Sequence, residues 1–201
     1  MLILLGGCSA DGHPAAGPSS GSAATAAGHG GSQLPEGAEI PAFSGTWAAE
    51  FERAYRASTS DLQRQVLRDG RVTDQEMVAL QDDFRSCLES QGFTGVTFDD
   101  KGGFQFKASD ASDDTAVNSQ VTACQDNSLG QVSTLFYSMQ RNPANEDELE
   151  IMAACLVRQG LAPAGYSAED YGRDAPAGAF PFDSGDPRFG ICVSNPLAAA
   201  Q

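Results

Sequence analysis

Histidine is missing from most of this chain, and that absence removes a large share of common enzyme chemistry. His13 and His29 both fall in a low-complexity N-terminal stretch, so residues 44–201 contain none. Ser/His/Asp and Cys/His nucleophile pairs are thereby excluded from the folded region, as are the usual His-containing zinc sites. Lysine is nearly absent too, with Lys101 and Lys107 the only two. A phosphate-cradling Gly-rich loop needs its lysine, and no such pairing occurs. The arginines are scattered, and Lys plus Arg number 12 against 27 acidic residues, for a net charge of -15. Nucleic-acid binding needs clustered cations, so none is expected; acidity of this kind favours solubility and basic partners. Long apolar runs are also lacking, and nothing approaches the roughly 18 residues of a membrane-spanning helix.

What is present begins with "MLILLGGCSA". An apolar run followed by Leu5-Gly6-Gly7-Cys8 resembles a bacterial lipobox, in which small residues precede a cysteine. The resemblance implies cleavage before Cys8, diacylation of its thiol and a lipid-anchored N-terminus, because two or more acyl chains hold where one does not. The plainer reading is a chance "GGC" after leucines. Residues 1–5 carry no basic group and are shorter than a hydrophobic signal core of roughly 7–15 residues. The expectation is a signal peptide at 1–7 whose true start lies upstream of Met1.

Residues 8–43 are Gly, Ala, Ser and Pro with few large apolar groups. Such text buries too little surface to offset its ordering entropy and reads as a flexible tether, with roughly 30–35 Å of reach. A globular domain follows at 44–201. Trp47, Phe51 and Tyr55, then Leu62, Val66 and Leu67, recur at helical spacing, with a break expected at "STSD" and Ser60 with Gln63 as a recapping pair. Thr73 and Glu76 predict a capping box for a helix reaching Gln91, with Met77, Leu80, Phe84, Cys87 and Leu88 as its buried stripe. Val96, Phe98, Phe104 and Phe106 alternate around a Gly-containing turn and predict a β-hairpin. Helical text runs from about 115 to 141 with an interruption near Asn127. Asn145 with Glu148 predicts the cap of a helix reaching Gln159, and short helices are expected after Ser167 and near Asp186-Pro187. The fold class is mainly α with a small β-hairpin, an α+β domain.

The chain repeats itself. "CLESQGF" at 87–93 returns as "CLVRQGL" at 155–161, and "CQDNSL" at 124–129 returns as "CVSNPL" at 192–197. Both pairs are offset by 68 residues, which suggests an internally duplicated domain with halves at about 73–141 and 142–201. Shared helix-ending chemistry is the alternative. Gly92 and Gly160 suit the left-handed position after a helix, and Leu88/Phe93 and Leu156/Leu161 occupy the positions that touch in a Schellman motif. Four exported cysteines allow three pairings. Equal spacing of 37 residues favours Cys87–Cys124 and Cys155–Cys192, one staple per half. Cys87–Cys192 with Cys124–Cys155 is the main competitor.

Few residues point to chemistry. "DGRVTDQE" matches the latter part of an EF-hand loop, but the positions for the first two carboxylate ligands hold Gln65 and Leu67. Asp110, Asp113 and Asp114 are the remaining calcium candidates, against a solvated loop that caps the next helix. Paired carboxylates such as Asp82/Asp83 or Asp99/Asp100 leave open a glycosidase acting on cell-wall glycans. No cofactor and no catalytic residue is assigned.

The segment Q-x-x-V-L-x-D-G-x-V-T-x-x-E (Gln63 to Glu76), the following C-L-x-x-x-G, the lipobox-like start and the later cysteines together resemble uncharacterised small lipoproteins of high-G+C Gram-positive (actinobacterial) bacteria. The resemblance covers roughly Trp47 to Cys192 and its motifs are structural. It implies a location, lipid-anchored on the extracytoplasmic face of the cell membrane, and no activity. The expectation is a binding or accessory module with a protein partner at the envelope, serving a transporter, sensor or envelope assembly. The alternative is the carboxylate-based glycan hydrolase.

Overall fold

A computed structural model describes residues 34–108 and 113–197. The leader at 1–7, Cys8, both histidines, the tether as far as residue 33 and Asp110 lie outside the described residues. The described chain is mainly helical, with one antiparallel hairpin and two disulfides, an α+β fold.

α1 (Ala48–Ala57) and α2 (Asp61–Leu67) are parted where Ser58 turns extended, at φ -61° and ψ 130°. The Ser60 hydroxyl accepts from the Gln63 N–H at 3.3 Å, but the Gln63 side chain does not return to close a capping box on Ser60. Its Oε1 accepts from Thr59 N at 2.9 Å, and its Nε2 donates to the carbonyls of Asp126 and Asn127 at 2.7 and 2.9 Å. Gln63 is 1% exposed and fully used. It ties α2 to the end of α4 (Asp114–Ser128). The helix break after α4 falls at Leu129, where Gly130 opens α5 (Gly130–Arg141) at φ +47°. A Cβ at Gly130 would lie 2.6 Å from Gln63 Nε2, so only glycine admits this strut.

α3 (Asp74–Ser90) starts with the expected capping box: Thr73 Oγ1 accepts from Glu76 N at 3.2 Å, and Glu76 Oε2 accepts from Thr73 N at 2.8 Å. Met77, Leu80, Phe84, Cys87 and Leu88 form its buried stripe. Phe84 meets Phe98 and Phe104 edge-on, with ring centroids 5.8 and 4.7 Å away. Those rings belong to β1 (Thr94–Phe98) and β2 (Phe104–Lys107), so α3 is the seat of the hairpin. The turn is organised by Asp99, whose Oδ1 accepts from the N–H groups of Lys101 and Gly103 at 2.9 and 2.8 Å.

α6 (Glu148–Arg158) is capped differently from the expectation. Asp147 is the cap, its Oδ1 accepting from Leu149 N and Glu150 N at 2.9 and 3.0 Å. Asn145 instead stands at φ +51° and donates to Thr46 O at 2.9 Å. Asparagine tolerates the left-handed region, and a carboxylate nearer the helix satisfies its first N–H groups better. α7 (Ala168–Ala177) and α8 (Pro187–Ser194) are the last described helices, capped by Ser167 and Asp186.

The repeated phrases end α3 and α6 in the same way. Phe93 N donates to Leu88 O and Gly92 N to Glu89 O; Leu161 N donates to Leu156 O and Gly160 N to Val157 O. Both are Schellman motifs, with Gly92 and Gly160 at φ +88° and +65°. Each helix end is then stapled, Cys87 to Cys124 and Cys155 to Cys192, with Cα atoms 5.7 Å apart in both. The second cysteine of each pair also sits in a helix, Cys124 in α4 and Cys192 in α8. A hairpin lies between the first pair of cysteines and a helix, α7, between the second.

Two hydrophobic cores result. The larger gathers α1–α5 and the hairpin; the smaller is built on Met152, Cys155, Leu156, Leu161, Ala162 and Cys192 from α6, the turn after it and α8. The larger core also draws in Leu34, Ile40 and Phe43 as partly buried neighbours. Packing therefore begins about ten residues before the boundary expected at 44, because these three isolated apolar residues find a surface that local composition does not reveal.

A candidate binding cleft where the two cores meet

Arg141, the last residue of α5, joins the cores. Its Nε donates to Val193 O near the end of α8 at 2.7 Å, its two Nη atoms bind both carboxylate oxygens of Glu148 at the start of α6, and Nη2 reaches Met152 Sδ at 3.2 Å. Further ties are few: Trp47 Nε1 donates to Pro143 O at 3.3 Å, Asn145 to Thr46 O, and Lys101 Nζ to Ser194 Oγ at 3.1 Å. The joint is thin and polar, with the connecting residues 142–147 beside it.

A cleft of about 410 Å³ opens on this joint. The hairpin turn contributes Asp100 and Lys101, α5 contributes Tyr137 and Gln140, and the end of α8 contributes Ser194 and Asn195. A second hollow of about 350 Å³ lies beside Trp47, Asn142 and Asn145, with Arg141 also in its wall. The polar groups of that hollow are largely committed: Asn142 exchanges hydrogen bonds with the Glu146 backbone, and Asp147 caps α6.

The first cleft keeps free hydrogen-bonding capacity. Gln81 Nε2 donates to Tyr137 OH at 3.3 Å, which leaves the phenol proton available as a donor. Burial, and then the Asp99 carboxylate, push the Tyr137 pKa upward, with the Gln81 hydrogen bond acting the other way, so the phenol keeps its proton. Its ring lies against the hairpin turn. A Cβ at Gly102 would come within 2.3 Å of the ring, and Gly102 stands at φ +84°. Among the described residues Lys101 makes no ion pair, and its one hydrogen bond to Ser194 leaves two ammonium donors.

The residues singled out from sequence lie elsewhere for the most part. Asp113 caps α4, accepting from Thr115 N and Ala116 N at 3.4 and 3.3 Å, and Asp114 sits in the first turn. Among the described residues no group of three or more His, Cys, Asp or Glu side chains is placed to hold a metal ion. Asp82 pairs with Arg85, while Asp83 accepts from Ser128 Oγ at 2.6 Å. Asp99 is spent on its turn, and Asp100 is the one carboxylate lining the larger cleft. Tyr137, Gln140, Arg141, Ser194 and Asn195 were not anticipated. Lys101 and Ser194 stand 93 positions apart, so no local pattern links them.

Comparison of the chain with protein-family models, with curated proteins and with solved structures finds no match. Among the described residues no helix is long and apolar enough to cross a membrane.

Replacing Arg141 by Met should loosen the joint without unfolding either core. The guanidinium is 22% exposed and Glu148 50%, so solvent screening limits the expected loss to about 1–2 kcal/mol. The sharper readout is limited proteolysis, in which cleavage within 142–147 should accelerate severalfold while fragments from either core persist. Unchanged cleavage would show that Arg141 does not brace the joint.

Proposed function

We propose that the protein is an exported lipoprotein, held through acylated Cys8 on the outer face of the cytoplasmic membrane, and that it works there as a non-catalytic binding or accessory module for a transporter, sensor or envelope assembly. The observation that carries this reading is the pair of disulfides, each sealed in its own core with cysteines at most 5% exposed. Persistent structural disulfides belong to oxidising compartments and are rare in the cytosol. The lipobox-like residues 5–8 and the Gly/Ala/Ser-rich stretch after them supply an anchor and a spacer. The joint cleft supplies a place for a ligand, and ligand sites favour such junctions.

The reading is tested by expressing the gene from its own locus with labelled palmitate. The wild-type protein should carry label and fractionate with membranes. Cys8→Ala should lose the label, which is the deciding readout because a leader left uncleaved can itself hold the variant on the membrane. A wild-type protein without label, or a Cys8→Ala variant that keeps it, would contradict the anchor.

A further inference from the structure

We propose that the cleft at the joint binds a neutral, polyhydroxylated ligand of mono- to disaccharide size, so that the accessory module recognises a glycan. This rests on the binding-module reading and gives that same site a ligand class.

Shape is the first ground. At about 410 Å³ the cleft lies in the range of small-ligand sites, and its walls come from three elements on both cores. The second ground is the alternation of hydrogen-bonding character around it. Tyr137 OH and Lys101 Nζ offer donors, the Asp100 carboxylate offers only acceptors, and the amides of Gln140 and Asn195 offer both. A phosphate or carboxylate ligand would face Asp100 within a chain of net charge -15. A cationic ligand would face Lys101 and Arg141. A sugar hydroxyl donates and accepts at once, so mixed walls suit it where they penalise either ion. The third ground is Val193, 49% exposed at the rim, an apolar surface for the C–H face of a sugar ring. A ligand touching both cores would also brace a joint held by few contacts.

The test is titration calorimetry on the full chain with cellobiose and N,N′-diacetylchitobiose, with glucose 6-phosphate and spermidine as charged comparators. A neutral disaccharide should bind saturably and slow proteolysis within 142–147. Tyr137→Phe, which keeps the ring against Gly102, and Asp100→Asn should each weaken binding about tenfold, while Lys107→Met, outside the cleft, should not. Absence of saturable binding by both neutral sugars to folded protein would overturn the proposal. So would tighter binding of either charged comparator, or sugar binding indifferent to the two cleft variants. Preference for a charged comparator would retain a binding module and discard the sugar, whereas loss of Cys8 acylation would strike the envelope reading and leave this one standing.

Discussion

Removing the Cys155–Cys192 disulfide, as Cys155→Ala with Cys192→Ala, is expected to unfold the smaller core while the larger one stays folded. Closing a loop between cysteines 37 positions apart is worth about 4 kcal/mol on the chain-entropy account. The smaller core has little to set against that loss, since six buried apolar residues compose it, two of them the bridged cysteines. Around them Tyr171, Phe180 and Phe182 stack in a row and Phe189 lies tilted against the last two, all half-buried. Units this small generally need a staple to fold at all. The larger core holds nineteen buried residues, so the same change at Cys87 and Cys124 should leave it folded with a lower midpoint. Hydrogen exchange resolves the two cases: amides of α6–α8 should lose protection together, and those of α3 and α5 should keep theirs. Simultaneous loss across both cores would show one cooperative unit where two are expected.

Phe84→Ala is expected to cost about 3–5 kcal/mol, the range for a large aromatic deleted from a fixed core. Phe84 is 0% exposed and supports the rings of both hairpin strands. The cavity would lie under the hairpin whose turn carries Asp100 and Lys101, so ligand affinity at the cleft should fall along with stability. Urea unfolding followed by Trp47 fluorescence, which reports the larger core, measures the first effect. A loss below about 1 kcal/mol would mean that the hairpin is seated by other contacts.

Local chemistry was legible in the sequence wherever the deciding contacts are local. The Thr73–Glu76 capping box, the glycine-terminated ends of α3 and α6, the period-2 hairpin and the break at Ser58 each depend on residues within a few positions of one another. The equal cysteine spacing matched the two staples as well, although the shortest closure open to the chain, Cys124 to Cys155, is not the one used. Competition decided the misses. Asp147 takes the α6 cap from Asn145 because its carboxylate reaches two N–H groups, and Ser60 caps α2 as expected while the Gln63 side-chain oxygen takes Thr59 N in place of Ser60 N. The cleft was illegible because it is assembled across the joint. Tyr137 and Gln140 read as one more helical turn, and Ser194-Asn195 as a helix end, until Arg141 and Lys101 bring those segments together.

The most direct test of the account is a non-reducing peptide map of the protein taken from its own cells. Trypsin separates all four domain cysteines, because Arg85, Lys101, Lys107, Arg141, Arg158 and Arg188 place them in different fragments. The account predicts Cys87 linked to Cys124, Cys155 linked to Cys192, and an acylated Cys8. Free thiols at these four positions, or links that join a fragment before Arg141 to one after it, would contradict it.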